Sequence, residues 1–175
     1  MDFKDLIQKR RSHRKFTDEP IDGDAVKMIL RAGLMSPTGH SKRAWHFIVV
    51  EDKTDLEKLA DAREAGSQFL KSAALAVVVT CSPEETDCWI EDCSLAAVSM
   101  QYQAEELGLG SCWTQTARRG LSDGTMATDI VRGILDIPES QNVLCILGFG
   151  HPADERKPQS EDNLKWENVH IGKWE

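Results

Sequence analysis

The sequence lacks any long hydrophobic run. No apolar stretch approaches the roughly 20 residues that a membrane-spanning helix requires, and the first residues place acids before a weakly apolar segment and basic residues after it, unlike a signal peptide. Cys-x-x-Cys pairs and clustered histidines are also missing, so no zinc-binding pattern is present. We therefore expect a soluble protein that binds neither a membrane nor a metal.

The composition excludes further classes. Of 175 residues, 41% are hydrophobic and 29% are charged, which is typical of one globular domain rather than of a disordered chain. The net charge of −8 argues against nucleic-acid binding. The five cysteines are odd in number and lie in apolar or helical stretches, which favours reduced thiols in the cytoplasm over a disulfide framework.

Hydrophobic periodicity predicts an α+β fold. Apolar residues recur at helical spacing in some segments, while β-branched runs bounded by turns indicate strands. We expect one domain over residues 1–175, with an inner sheet and with residues 151–175 as a C-terminal extension. The helices are expected at 2–10, 25–32, 56–65, 85–107 and 127–137, and the strands at 45–51, 74–81, 111–117 and 142–150.

Positive charge is concentrated near the start of this acidic chain, where residues 9–15 carry five cations. Arginine forks bind phosphate in a bidentate way, and a serine hydroxyl can hold a third oxygen. The candidates for such a site are Arg10, Arg11, Ser12 and Arg14. The alternative is a solvated cluster whose cations pair with the surplus acids, and these residues alone leave both interpretations open.

A turn-rich segment, residues 36–45, joins a predicted helix to a predicted strand. Its hydroxyl side chains and backbone N–H groups could hydrogen-bond a planar polar ring. The alternative is an ordinary connection between two elements. The candidates for binding in this segment are Ser36, Pro37, Thr38, Gly39 and Ser41.

Glycines at positions 108 and 110 suggest a dinucleotide-binding turn, but the pattern fails. Trp113 takes the third glycine position, and the segment leads from a helix into a strand, which reverses the order that such a turn requires. A nicotinamide cofactor would therefore have to bind in another way.

Four ordered segments together resemble the nitroreductase family of FMN-dependent oxidoreductases along nearly the whole chain. They are RRSHRKF, SPTGHSKRAWHFIVV, the long helix ending in LGLGSCW, and LGFGHP. The first motif of the family is matched by Arg10, Arg11, Ser12, Arg14 and Phe16, and the second by Pro37, Thr38 and Trp45. The second motif departs from the family pattern at Ser41, Arg43 and Ala44, which stand where asparagine, glutamine and proline are usual.

The resemblance implies a nitroreductase-like α/β sandwich, whose central, mostly antiparallel sheet is flanked by helices. It also implies a homodimer with two FMN molecules at its interface. The first loop would hold the flavin phosphate and the N1–C2=O edge of the ring, and the second loop would reach the flavin of the partner. The strand after the long helix would pass the flavin N5 and O4 edge, which makes Trp113, Thr114 and Gln115 further candidates.

Two regions near the C-terminus complete the implied site. Gly150 ends the last strand beside the flavin, and Arg156, or Lys157 in its place, would add a phosphate contact. The C-terminal extension would pack on the partner subunit through its apolar side chains, which are Trp166, Val169, Ile171 and Trp174.

The implied activity uses no catalytic side chain, because the flavin N5 is the reactive centre. NADH or NADPH would deliver hydride to the flavin, and a small acceptor such as a nitroaromatic or a quinone would then be reduced in a ping-pong cycle. Three alternatives stay open: a physiological ene, imine or aldehyde reductase, a flavin reductase, and a flavin carrier without catalytic activity.

Overall fold

A computed structural model of the chain describes residues 1–174, which form five α-helices and four β-strands. All of the predicted elements are present, with ends that differ by a few residues. The helices are α1 (Phe3–Lys9), α2 (Gly23–Leu34), α3 (Lys53–Ala60), α4 (Trp89–Glu106) and α5 (Ala127–Leu135), and the strands are β1 (Trp45–Val50), β2 (Leu75–Cys81), β3 (Gly110–Gln115) and β4 (Asn142–Gly150).

The four strands form one sheet in the order β1-β2-β4-β3, and every neighbouring pair is antiparallel. All seven residues of β2 are buried, as a strand covered on both faces requires. The predicted α+β class and the central antiparallel sheet are thereby confirmed. In this order β1 and β3 are the two edge strands of the sheet.

Helices cover both faces of the sheet. One face of β2, with Val77 and Val79, packs under α2 and α4, where small residues such as Ala96 and Ala97 let α4 lie close to the strands. The other face, with Val78, packs against α3, α5 and a short turn at Gln68–Ser72. The result is a helix–sheet–helix sandwich with two apolar layers.

Local hydrogen bonds explain where the helix ends depart from the periodicity. The Asp52 carboxylate accepts a hydrogen bond from the N–H of Asp55, so α3 begins at Lys53, three residues before its first leucine. Asp136 adopts a left-handed conformation with φ of 53°, and α5 therefore ends before Pro138, which was the predicted stop.

After β4 the chain runs back along its own N-terminal segment. The N–H of Ala153 donates to the carbonyl of Lys15, and the N–H of Gln159 donates to the carbonyl of Gln8. Beyond residue 160 the apolar side chains predicted to dock stay in solvent within this chain, and the exposed fraction reaches 94% at Ile171. Any docking partner of these side chains must therefore be another molecule.

A pair of glycine substitutions tests the packing of the sheet. Gly148→Ala should lower the free energy of unfolding by about 1 to 3 kcal/mol, because the new Cβ would lie 2.7 Å from the Phe69 ring. Gly133→Ala in α5 meets nothing within 4 Å and should raise the free energy of unfolding by up to about 1 kcal/mol through helix propensity. Urea unfolding measures both, and equal stabilities of the two variants would contradict this packing.

Candidate active site

The basic loop, residues 10–16, is fixed to the sheet by main-chain hydrogen bonds. Ser12 bridges to Ser111 at the start of β3, where the N–H of His13 donates to the Ser111 carbonyl over 3.0 Å. At the other end of the loop, Phe16 bridges to Pro152 just after β4. The loop therefore lies across the adjoining ends of β3 and β4, where main-chain bridges and the buried Phe16 side chain hold it.

Few of the five cations are neutralised by acids. Lys9 pairs with Glu105 at 3.7 Å, and the Arg11 guanidinium donates to the main-chain carbonyl of Lys157. Within residues 1–174 neither Arg10 nor Arg14 makes an ion pair. Of these five cations only Lys9 is paired with an acid in the described chain, and Arg14 and Lys15 are exposed, so both interpretations of the cluster stay predictions.

The guanidinium groups of Arg10 and Arg14 act on one point of the sheet, the thiol of Cys112 in β3. Burial raises the pKa of this thiol, and the charge of Arg14, a hydrogen bond with Ser12 and the charge of Arg10 each act to lower that pKa. A buried group that senses both arginines indicates a positive potential at this end of β3. An anion placed there would gain from both charges.

The outer edge of β3 carries main-chain groups that β4 does not use. The Ser111 carbonyl points away from β4 and accepts the N–H of His13. In an antiparallel strand the main-chain groups of every second residue point to the same edge, so those of Trp113 and Gln115 also point away from β4. The Gln115 carbonyl does accept a hydrogen bond there, from Arg63 at 3.0 Å. The N–H groups of Trp113 and Gln115 therefore line this edge as donors.

Side chains on β3 shape a groove beside α4. The indole N–H of Trp113 donates to the Gln115 side-chain oxygen over 3.0 Å, which fixes the orientation of the indole. Together with Leu95, Val98 and Gln101 of α4, Trp113 lines an open groove of about 650 Å³. Its mostly apolar walls suit a flat aromatic molecule.

The second loop, residues 36–44, lies on the N-terminal half of α4. Ser36 is hydrogen-bonded to the Ser99 hydroxyl at 2.8 Å. Three non-glycine residues adopt left-handed φ values between 51° and 56°, namely His40, Ser41 and Arg43. Such strained backbone persists only where the surrounding structure enforces it, and it is often found at functional sites.

Within one chain the two loops do not meet. Gly39 contacts Asp92, whereas Lys9, beside the basic loop, contacts Glu105. Those α4 residues are separated by thirteen positions, or about 20 Å along the helix axis. The loops come closer at Ser36, which is hydrogen-bonded to Ser99, because Gln101, two positions further along α4, contacts Ser111, where Ser12 bridges to β3. Among residues 1–174 no hydrogen bond joins the two loops, so the structure does not bring the two predicted halves of the site together within one chain.

Asp92 holds the second loop, a role that the sequence alone does not reveal, because its partner Gly39 lies 53 positions away in the chain. The side chain is 2% exposed, and its Oδ1 accepts the N–H of Gly39 over 2.8 Å. Its Oδ2 is buried without a hydrogen-bond partner in the described part of the chain. The first turn of α4 carries two acids, Glu91 and Asp92, as is common at a helix N-terminus, so no signal in the sequence singles out Asp92.

Arg63 is a second functional candidate that sequence reasoning missed, because a lone arginine after a helix resembles an ordinary solvated residue. Its Nη1 donates to the Thr114 hydroxyl at 3.1 Å and to the Gln115 carbonyl at 3.0 Å. Burial lowers its pKa, and the nearby charge of Arg119 lowers that pKa further. The charge of Arg119 therefore reaches the Arg63 guanidinium at the far end of β3.

The predicted phosphate contact at Arg156 lies near the basic loop and is held by an acid. Asp154 accepts from Nη2 of Arg156 at 2.7 Å and is hydrogen-bonded to Nδ1 of His13 at 2.9 Å. The carboxylate therefore fixes Arg156 beside the loop that carries Arg10 and Arg14. The predicted alternative, Lys157, is exposed and contributes its carbonyl to Arg11.

Gly150 has a packing role in the structure. A Cβ at this position would lie 2.8 Å from the Phe16 side chain, which covers the end of β4. Whether Gly150 also touches a cofactor stays a prediction.

Ser122 lies in the turn after β3, within a short segment that matches a hydrolase motif. Residues 120–124 are Gly-x-Ser-x-Gly, the pattern of a nucleophile turn that in hydrolases follows a strand and opens a helix. Here the segment is an exposed turn outside the named helices and strands, and the main-chain N–H of Ser122 donates to Glu64. This setting gives no support to hydrolase catalysis.

Neither a metal centre nor a membrane-spanning helix is found within residues 1–174. No group of three or more potential ligands in this range is placed to hold a metal ion. No described helix combines the length and the apolar character needed to cross a bilayer.

The fold is an α+β sandwich whose edge strand β3 carries outward main-chain donors, with the unpaired Arg10 and Arg14 in the loop that bridges to its start. The nitroreductase family model matches residues 7–80 and 62–151. A protein from Archaeoglobus fulgidus, provisionally named an NADH dehydrogenase/NAD(P)H nitroreductase, is 32% identical over 174 residues, and the alignment covers 97% of each chain. A protein of the same provisional name from Methanothermobacter thermautotrophicus is 30% identical, over 99% of this chain and 88% of the other.

Solved structures agree with this match. An FMN-dependent nitroreductase from Clostridium difficile R20291 superposes with a TM-score of 0.95 at 39% identity, over 97% of this chain and 98% of the other. A structure from Parabacteroides distasonis gives a TM-score of 0.89 at 28% identity, with 98% of each chain covered. The chain belongs to the nitroreductase family, and the predicted oxidoreductase class is confirmed.

Acidification should release the contact that holds the C-terminal segment on the basic loop. Burial acts to raise the pKa of Asp154, but the hydrogen bond of His13 and the charge of Arg156 outweigh it, so the pKa lies below the usual 3.8. A carboxylate of lowered pKa stabilises the fold above about pH 4 and loses that contribution as the pH falls through its folded-state value.

Asp154→Asn should therefore be less stable than the unmodified protein near neutral pH, and the difference should shrink as the pH falls below 3.8 and through the lowered pKa of the folded state. Urea midpoints across this range measure it. A difference that stayed constant with pH would show that the carboxylate charge does not matter.

Proposed function

We propose that this chain is an FMN-dependent NAD(P)H oxidoreductase that reduces nitroaromatic, quinone or similar small electron acceptors. The observation that carries the proposal is the pair of unpaired guanidinium groups, Arg10 and Arg14, at the open edge of β3 in a protein of net charge −8. The relative from Clostridium difficile is named an FMN-dependent nitroreductase, and the archaeal relatives carry NAD(P)H in their names.

The donors present suit the two ends of FMN. Arg10, Arg14 and the Ser12 hydroxyl can hold a phosphate dianion, and Asp154 keeps Arg156 oriented beside them. The N–H groups of Trp113 and Gln115 can donate to the N5 and O4 edge of an isoalloxazine ring. Backbone donors of this kind tolerate side-chain change, so Gln115 would act mainly through its main chain.

Bound FMN would supply the redox chemistry, accepting hydride from NAD(P)H at N5 and passing it to the acceptor that then takes the place of the nicotinamide. The residues of this chain would bind and tune rather than react. A guanidinium beside the N1–C2=O edge favours negative charge there, and the apolar groove at Leu95 and Val98 limits access of water.

The second wall of the site would come from a partner, because within the described chain no hydrogen bond joins the second loop to the basic loop. In a homodimer the segment from Ser36 to Ser41 would reach the flavin held by the other subunit, and symmetry would supply two equivalent sites. Apolar side chains left in solvent support such a contact. Phe3 of α1 is 66% exposed, Leu95 of α4 is 42% exposed and Trp166 of the extension is 69% exposed.

The working compartment that we propose is the cytoplasm. The cysteines within the described residues are all free thiols, and four of the five are buried. Reduced, buried thiols of this kind are typical of proteins that fold under reducing conditions.

The first test is the colour and the turnover of the purified protein. We expect a yellow protein whose released ligand is FMN, and oxidation of NADH or NADPH that depends on an added quinone or nitroaromatic. A flavin carrier would be yellow without turnover, and a module for phosphate or nucleic acid would be colourless.

Removal of the two unpaired arginines should weaken flavin retention. Each charge-assisted contact to phosphate or ring contributes about 1.5 to 3 kcal/mol, so Arg10→Ala with Arg14→Ala should raise the dissociation constant for FMN by at least about a hundredfold. Lys15→Ala is the matched control, since it removes a cation of the same loop that does not act on the Cys112 thiol. Unchanged FMN affinity in the double variant would support the solvated-cluster interpretation.

Loss of the extension should disrupt the dimer and the flavin site together. Truncation after Pro158 removes Trp166, Val169, Ile171 and Trp174, each of which forgoes roughly 1.5 to 3 kcal/mol when it is left in water. We expect monomers or aggregates without flavin, measured by light scattering and absorbance. The full-length variant Lys173→Ala is the control, and a truncated protein that stayed dimeric, yellow and active would contradict the proposal.

A further inference from the structure

Arg63 is held at the far end of β3 with most of its donors unused. Both of its hydrogen bonds, to the Thr114 hydroxyl and the Gln115 carbonyl, come from Nη1. A guanidinium carries five N–H donors, so the Nη2 and Nε groups stay available. Gly66, with φ of 88°, lies against the guanidinium, where an added Cβ would be 3.7 Å from Nη2. The side chain is therefore oriented by β3 on one side and by a tight turn on the other.

Arg119 adds a second positive charge to the same place. The turn before Gln68 and the turn after β3 are joined, since the N–H of Ser122 donates to Oε2 of Glu64 at 3.1 Å. The N–H of Glu64 also donates to the Gly120 carbonyl at 3.5 Å, so the residues next to Arg63 and Arg119 are in contact, and the charge of Arg119 lowers the pKa of the Arg63 guanidinium. Two like charges held together cost free energy unless an anion joins them.

Acids of the chain do not neutralise this pair. In residues 1–174 neither Arg63 nor Arg119 takes part in an ion pair. The acids of these turns have other partners: Asp61 pairs with Lys71 at 2.9 Å, Asp123 accepts the N–H of Thr125, and Glu64 accepts the N–H of Ser122. The pair keeps unused donors in a chain that is acidic as a whole.

The pair is distinct from the basic loop. The basic loop reaches β3 at Ser111 and Cys112, whereas Arg63 reaches it at Thr114 and Gln115. Three residues of extended strand separate Cys112 from Gln115, or about 10 Å. An oxyanion held by Arg63 would therefore lie beside the edge that we assign to the flavin N5 and O4, and away from the cofactor phosphate.

From this placement we propose that Arg63 and Arg119 form a substrate-anion site, which binds a carboxylate or phosphate group carried by the electron acceptor or by the nicotinamide donor. The inference rests on the proposed function for the reaction, but the anion site itself follows from the two guanidinium groups. Its consequence is selectivity: an anionic substrate is favoured over a neutral one of the same shape, through a fork suited to bidentate contact.

The kinetic test compares substrates that differ in one charge. With NADH as donor, 4-nitrobenzoate is compared with 4-nitrobenzyl alcohol; with the neutral alcohol as acceptor, NADPH is compared with NADH. The ratio of kcat/KM for 4-nitrobenzoate to that for 4-nitrobenzyl alcohol reports recognition of a carboxylate on the acceptor. The ratio of kcat/KM for NADPH to that for NADH reports recognition of the additional phosphate of NADPH. The variants are Arg63→Gln and Arg119→Gln, and Arg31→Gln on the exposed face of α2 is the control for loss of one cation.

We expect one of the two ratios to fall about tenfold in Arg63→Gln, as for a lost charge-assisted hydrogen bond, and about threefold in Arg119→Gln, which is more exposed. Arg31→Gln should leave both ratios as they are. The ratio that falls identifies the source of the anion. If neither ratio changed, or if Arg31→Gln changed it equally, the proposal would be wrong.

A binding measurement separates this proposal from the proposed function. Calorimetric titration with benzoate, with inorganic phosphate and with neutral benzyl alcohol requires no turnover. Weaker binding of an anion to Arg119→Gln than to the unmodified protein supports the site, even if the protein proved colourless and inactive. Loss of FMN from both Arg63→Gln and Arg119→Gln, with no change in anion binding, would assign these arginines to the cofactor and overturn the proposal.

Discussion

The candidate site depends on the close approach of the basic loop to the ends of β3 and β4. That approach requires two glycines. A Cβ at Gly110 would lie 2.9 Å from Cβ of His13, and a Cβ at Gly150 would lie 2.8 Å from the Phe16 side chain. Because neither position carries a side chain, the loop can bridge at Ser12 and again at Phe16, and these main-chain bridges help to set where its arginines are held.

Main-chain attachment leaves the side chains of this loop free for other partners. Arg10 and Arg14 make no ion pair in the described chain, although acids outnumber basic residues by 29 to 21. The acid that does lie close, Asp154, is occupied by His13 and Arg156 and so orders the neighbouring cation instead of neutralising the loop. A local positive potential can therefore persist in an acidic protein, because the nearby carboxylates are already engaged.

Much of the fold could be predicted from the sequence, because its signals are local. The run Asn142–Gly150 is apolar and ends in glycines, and it forms β4 with the predicted bounds. The predicted helix ends were less accurate where a capping residue, and not the spacing of apolar residues, sets the first residue of the helix, as Asp52 does for α3. The antiparallel order of the strands came from the family resemblance, since periodicity gives the faces of a strand but not its neighbours.

The candidate site divides in the same way. Clustered donors such as Arg10 and Arg14 stand out because they are adjacent in sequence. Arg63 and Asp92 do not stand out, because each acquires its role from a segment distant in the chain, Arg63 from Gln115 and Asp92 from Gly39. Single polar residues whose partners are brought to them by the fold are the kind of feature that a reading of one sequence misses.

The unpaired oxygen of Asp92 gives a physical reason why the second loop is tightly specified. A buried carboxylate oxygen without a donor costs free energy, and the left-handed residues His40, Ser41 and Arg43 add backbone strain nearby. Both costs arise near the first turn of α4, where Asp92 lies, whereas Lys9 beside the basic loop contacts Glu105 in its last turn. The two loops attach to different parts of the chain, and no hydrogen bond joins them within the described residues. In the homodimer that we propose, a twofold axis that places two α4 helices side by side would bring the second loop of each chain to the basic loop of the other.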